Sequence, residues 1–370
     1  MADSRRNLRR FLLFWTLMLM AGGEALLAQK DFSSLDQWMQ ENVHTLGGRA
    51  ILVIYQDGKT IYSRSVTDMN GRQKALVKYV AKKQGLEPDF APFTEQSRLL
   101  IASCSKWLSA ALVMSFVDEG RIHLSDTVGL YLPILSLHGK GNITLAECLS
   151  HTTGIKAPSV KQSLNHWKDV RSMDQAIEEI AVMPMEGEPG KVFHYSNAGF
   201  QIAGAVLEKI TDSSFENLFA ARIARPLDMK NTDFGNGPVA LPAGGARSNT
   251  ADYINFLAMI LQKGNFNGRQ ILSERSLEEM QANRITPDIR IIYSPDDGGE
   301  LGYALGEWVP KTGEAGQPAV WVTSPGLFGS FPWIDNQKRY AAFLMTFNLN
   351  FKERQQGYLE LKKRVDLLLP

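Results

Sequence analysis

The sequence predicts an α/β (α+β) fold: an antiparallel sheet flanked by helices, with an inserted all-helical subdomain. Three observations point there. Strand patterns occupy both ends of the chain, so an N-terminal hairpin can pair with C-terminal strands. Helical patterns punctuated by Pro and Gly run between them. The 370 residues, 44% hydrophobic and 21% charged, suffice for two intimately packed subdomains of a water-soluble chain.

Arg5, Arg6, Arg9 and Arg10 precede the apolar run Phe11 to Ala21, and Gly22, Gly23 and Ala25 follow it. Basic, then apolar, then small is the order of a secretory signal, and the run is short for a bilayer span. Residues 1–28 are therefore expected to be cleaved, leaving 29–370 periplasmic or secreted with no stable membrane anchor. Ser4-Arg5-Arg6-Asn7-Leu8 also has the form of a twin-arginine signal. An uncleaved anchor is the competing reading.

Ala50 to Ser65 reads as a hairpin turning at Asp57-Gly58. A short basic helix is expected from Arg72 to Lys83, its Lys-rich face solvated, followed by a loop with Pro88 and Pro92. Ser103 to Glu119 is long, apolar and helical, with Gly120 as the stop. Short helices fill 121–245, the expected helical subdomain. The sheet subdomain is expected over about 45–120 and 246–370. Helices are expected at Thr250–Gln262 and Glu274–Asn283, and strands at Tyr303–Val309, Ala319–Thr323, Ser330–Ile334 and Tyr340–Phe347. An amphipathic helix from about Glu353 to Leu368 closes the chain.

Composition excludes several functions. A formal net charge of +1 leaves no footprint for nucleic acid. Six histidines (His44, His123, His138, His151, His166, His194) show no zinc-site spacing, so neither metal nor other cofactor is expected. Cys104 and Cys148 read as two separate small core residues in preference to a disulfide.

Chemistry concentrates in two places. Ser103-Cys104-Ser105-Lys106 is the only Ser-x-x-Lys in the chain. On a helix, residues i and i+3 share a face, so hydroxyl and amine can meet. A hydroxyl needs a base to become nucleophilic, and a lysine amine serves only when its pKa is lowered. Alone, the pattern equally describes an N-cap Ser beside a snorkelling Lys. The second place is Tyr195-Ser196-Asn197, in a loop just before the helix at about Gly199–Ile210. A phenol beside a lysine can relay a proton, and an Asn amide can orient a carbonyl or hold the amine. Tyr253-Ile254-Asn255 falls inside a helical pattern and reads as a decoy.

Together these segments resemble the penicillin-recognising serine hydrolases, most of all the class C β-lactamase-like esterases and D-stereospecific or DD-peptidases. Asp118 to Asp126, Leu149-Ser150-His151-Thr152-Thr153-Gly154, Gly244 to Ser248 with Asp252-Tyr253, and Phe328-Gly329-Ser330 extend the likeness over about 45–368. The resemblance implies a β-lactamase/transpeptidase-like fold and an acyl-enzyme on Ser103. Lys106 and Tyr195 would act as base and relay, and Asn197 would bind substrate. It makes His151 mostly structural, and His194 a packing or orienting residue.

The family's third motif, Lys-Thr-Gly or His-x-Gly, is less plain. Lys311-Thr312-Gly313 continues into a polar Gly-rich stretch and reads as a hairpin tip. Aligning Phe328-Gly329-Ser330 instead places Trp321-Val322-Thr323 at the motif, with Ser324 next. Trp321 is then expected as an apolar substrate wall, and the Ser103 and Ser324 N–H groups as the oxyanion hole. An uncharged wall favours small esters or neutral amides. A DD-peptidase or β-lactamase acting on cell-wall peptides or β-lactams, and a non-catalytic sensor module, are the alternatives. No Gly-x-Ser-x-Gly is present, which disfavours the α/β-hydrolase route.

Overall fold

The computed structural model describes residues 30–85, 87–158, 170–295, 301–310, 319–349 and 354–369. The expected signal peptide and the Lys311-Thr312-Gly313 hairpin tip lie outside them. Among the described residues no helix is long and apolar enough to cross a membrane.

A seven-stranded antiparallel sheet organises the molecule. Its strands are β1 (Arg49–Gln56), β2 (Lys59–Thr67), β3 (Gly302–Tyr303), β4 (Trp308–Val309), β5 (Trp321–Thr323), β6 (Phe331–Asp335) and β7 (Tyr340–Thr346), in the order β2-β1-β7-β6-β5-β4-β3. The N-terminal hairpin joins the C-terminal strands through β1 and β7, with Ala50 opposite Thr346 and Gln56 opposite Tyr340. β1 is apolar along its length because both of its faces are covered. Ile51 and Val53 enter the larger core cluster, and Ala50, Leu52 and Ile54 enter a second one on the other side.

The main helices are α1 (Ser33–Glu41), α2 (Gly71–Gln84), α3 (Ser105–Asp118), α4 (Ala198–Thr211), α5 (Thr250–Leu261), α6 (Glu274–Gln281) and α7 (Arg354–Leu368). α3 and α5 belong to the larger core, whereas α1 and α7 cover the opposite face. Every residue of α3 from Ser105 to Phe116 is buried, as befits a helix apolar all round. α1 was not anticipated from the sequence.

The inserted subdomain contributes α4 and the short helices Pro133–Leu137, Leu145–Leu149, Met173–Ala181 and Phe215–Phe219. One expected strand needs correction. Tyr303 to Val309 is a tight hairpin, β3 turning into β4, with Trp308 opposite Tyr303. Gly306 makes the turn at φ +84°, where a Cβ would sit only 2.7 Å from Lys106 O. The turn is thereby pressed against α3.

Candidate active site

Ser103 lies in a 3₁₀ turn, Ala102–Cys104, that leads into α3. The two-residue strand Leu99–Leu100 pairs with Arg247–Ser248, and Ile101 N–H donates to Ala246 O at 3.0 Å. Ala102 then takes φ +47°, a left-handed conformation that costs a non-glycine residue about 1 kcal/mol or more. The surroundings hold it there. Ala246 N–H donates to Ser105 Oγ at 3.0 Å, and Tyr253 OH donates to Cys104 O at 2.9 Å. Cys104 N–H, bonded to Ile101 O, belongs to the first helical turn, so the Ser103 N–H precedes the helical ladder.

Lys106 is fully buried. Its Nζ lies 3.3 Å from Ser103 Oγ, 3.4 Å from Asn197 Oδ1 and 2.8 Å from Ala243 O. Its remaining surroundings are aromatic, with the Tyr195 ring 4.8 Å and the Phe200 ring 5.8 Å away. No carboxylate salt bridge holds it among the described residues, and burial pushes its pKa down to about 7. Near neutrality a large fraction of the amine therefore keeps a lone pair. Asn197 occupies the N-cap position of α4 without capping it. Its side chain faces the lysine, giving up the ~1 kcal/mol that an N-cap bond commonly supplies.

Tyr195 is buried and stacked on Trp308, ring centroids 5.3 Å apart at 24°. His151 lies 4.3 Å from the same ring. Ser196 N–H approaches His151 Nδ1 at 3.4 Å, so Nε2 carries the proton and donates to Tyr303 OH at 3.2 Å. Burial, with the charges of Lys106 and His194, holds the imidazole well below its usual pKa. His151 is thus a neutral brace for the Tyr195 loop. His194 pairs with Glu186 through Nδ1 at 2.5 Å, facing away from that role. Trp308 and Tyr303 were missed as site residues because they were read within one continuous strand. Gly306 between them was the signal of a turn.

The structure therefore brings Ser103, Lys106, Tyr195 and Asn197 together. Ser324 joins them, its Oγ 3.3 Å from Ser103 O and 3.0 Å from Gly306 O. Trp321 does not, and the expected substrate wall is corrected. Side chains alternate along β5. Val322 faces the core that contains α3, whereas Trp321 faces α7 and lies 5.1 Å from Lys362 Nζ. Trp308, beside Tyr195, is the aromatic surface on the site's own side. Cys104 and Cys148 are both free and buried.

An antiparallel sheet with a buried central helix, an inserted helical subdomain and a Ser–Lys pair at the helix start is the architecture of serine hydrolases with a class C β-lactamase-like fold. The Beta-lactamase family description matches residues 35–362, so the chain belongs to that family, within the penicillin-recognising serine hydrolases. A Bacteroides dorei structure provisionally named a β-lactamase superposes with a TM-score of 0.75 at 26% identity, covering 91% of this chain and 98% of the other. EstCE1, described as a hydrolase with promiscuous acyltransferase activity, superposes at 0.71 with 16% identity over 92% and 100% of the two chains. That likeness shows the fold. Protein flp of Staphylococcus aureus is 26% identical over 137 residues, 36% of this chain and 27% of that protein. The match spans about a quarter of that relative's length.

Proposed function

We infer that the chain hydrolyses esters or amides through an acyl-enzyme on Ser103. The observation that carries this is the buried amine of Lys106, 3.3 Å from the hydroxyl and lowered to a pKa of about 7. Neutral Lys106 takes the Ser103 proton as Oγ attacks the acyl carbonyl. The Ser103 and Ser324 N–H groups receive the oxyanion. Asn197 and Ala243 O hold the lysinium that forms, and Tyr195 relays its proton to the departing alcohol or amine. Water then releases the acid by the reverse sequence. Residues 1–28 act as an export signal, which places the reaction in the periplasm or outside the cell.

Small esters and neutral amides suit the aromatic wall of Trp308 and Tyr195. The acyl-transfer description of EstCE1 agrees with an ester donor, and the Bacteroides dorei name with a β-lactam. Intact-protein mass spectrometry after exposure to a fluorophosphonate and to a short-chain aryl ester decides the matter. One adduct per chain is expected, lost in Ser103→Ala. Turnover of a chromogenic cephalosporin faster than the aryl ester would move the assignment to β-lactam chemistry. No adduct with any probe would leave a non-catalytic module.

A further inference from the structure

α2 is secured at both ends yet belongs to none of the hydrophobic clusters among the described residues. Asn70 and Gln73 form a capping box at its start, and Gly85 closes it in the left-handed conformation. Lys74, Lys78, Lys82 and Lys83 face solvent. Val77, Val80 and Ala81 share a less exposed face, bordered by Lys74 and Lys78, and that face looks onto a cavity of about 490 Å³. An apolar stripe held over a void, and not over a core, is a surface that lacks a partner among the described residues.

The other walls set the partner's chemistry. Phe93, Phe328 and Phe347 line the cavity with aromatic surface. Arg49 forms its floor, with a side chain only 9% exposed and its guanidinium 4.4 Å over the Phe93 ring. That guanidinium donates to Ala91 O at 2.9 Å, which leaves further N–H groups of its five to direct at a ligand. Arg247, exposed, stands at the mouth. Glu87 and Asp89 also line the cavity but are exposed, and the Asp89 side chain is 76% exposed and 4.0 Å from Arg49. Water screens those rim carboxylates more than it screens the buried cation. Arg98 is occupied by Asp233 and Asn231 O.

We propose that this cavity is a binding site for a medium-chain organic carboxylate, its head taken by Arg49, its entry favoured by the charge of Arg247 at the mouth, and its chain held by α2 and the phenylalanines. A neutral chain would fill the volume but leave Arg49 without a well-placed counter-charge. A compact inorganic anion would leave the apolar stripe bare. The volume lies within the usual range for small-molecule sites. Leu100, another lining residue, stands three positions before Ser103, at most about 11 Å along the chain. Phe328 follows Ser324 in the β5–β6 loop. An occupant therefore bears on both segments that hold the proposed nucleophile and oxyanion donors.

Calorimetric titration of the purified protein with octanoate, 1-octanol and octylammonium near neutral pH tests the site. Octanoate is expected to bind at least about tenfold more tightly than either analogue, and less tightly as salt is added. Arg247→Gln, at the surface, should weaken it about five- to tenfold. Val80→Trp, which fills the cavity, should abolish it, with thermal melts verifying that both variants fold. Ser103→Ala should bind octanoate as the parent does, so the site and the acyl-transfer reading fail separately. Equal affinity for octanol and octanoate would overturn the proposal. So would unchanged octanoate affinity in both cavity variants, or a Kd weaker than about 10 mM in the parent.

Discussion

Lys106 can act as a base only when neutral, and its pKa of about 7 sets the pH at which it does so. With an aryl ester, kcat/KM should rise through about pH 7 and level off above it, because the deprotonated form is the active one. Lys106→Arg keeps a charge at every working pH and should lose about 10²–10⁴ in rate together with the inflection. A flat profile in the parent would remove Lys106 from the proton transfer. The same shift acts on stability. The unfolded amine titrates near 10.5, so between about 7 and 10.5 the unfolded chain binds the extra proton and this group's contribution rises with pH. Glu307 works in the opposite sense. It is fully buried, neither carboxylate oxygen has a hydrogen-bond partner among the described residues, and burial holds it protonated well above 4.5. The unfolded chain loses that proton first, so the contribution falls as pH rises above 4.5. Glu307→Gln should therefore raise Tm, by an increment that grows from about pH 5 to pH 8 in thermal melts. A constant or negative increment would mean that the carboxylate is ionised and partnered.

The turn Ala304–Glu307 ties the sheet edge to the chemistry. Gly306 N–H donates to Leu149 O, two residues before His151, and Gly306 O lies 3.0 Å from Ser324 Oγ. Gly306→Ala would place a methyl 2.7 Å from Lys106 O and 2.9 Å from Ala110 Cβ, at φ +84°. The chain must then shift α3 or the turn, at a cost of about 1–3 kcal/mol. Urea unfolding should show the loss, and kcat should fall with it because Lys106 moves. An unchanged kcat would mean that the turn only supports the sheet. This junction also explains what was legible beforehand. Ser103 and Lys106 meet by the periodicity of one helix, and Tyr195 and Asn197 sit two positions apart at a helix start; such local spacing is visible in sequence. Trp308, Tyr303 and Glu307 reach their places through a three-dimensional turn, and their alternation misled the assignment of Tyr303–Val309. Trp321 failed for a related reason, since a motif alignment fixes a position along a strand but not the face it presents. The long strands were legible because β1 and β7 are almost continuously apolar, whereas α1 is only nine residues long and starts after Phe32 with no side-chain cap, so no start signal marks it.

Across the whole molecule, the sheet separates chemistry from support. Ser103, Lys106 and Tyr195 lie on the α3 side. On the other side, Lys362 of α7 pairs with Asp335 at 2.8 Å and Asp366 at 2.9 Å, beneath the Trp321 ring. Tyr340 OH extends the network, donating to Asp366 at 2.7 Å and receiving a bond from Trp333 Nε1 at 2.9 Å. Lys362 and Asp335 are both buried, so deleting the cation strands a carboxylate away from water. Lys362→Met should cost about 3–5 kcal/mol, the usual penalty for breaking a buried pair, seen as an earlier urea midpoint. Below its melting range the same variant should keep kcat/KM within about twofold of the parent, as should Trp321→Leu, because among the described residues no side chain on this face touches the reacting groups. A tenfold fall in kcat/KM in either fully folded variant would mean that the far face sets the geometry of Ser103 through β5. The division of labour between the two faces would then have to be abandoned.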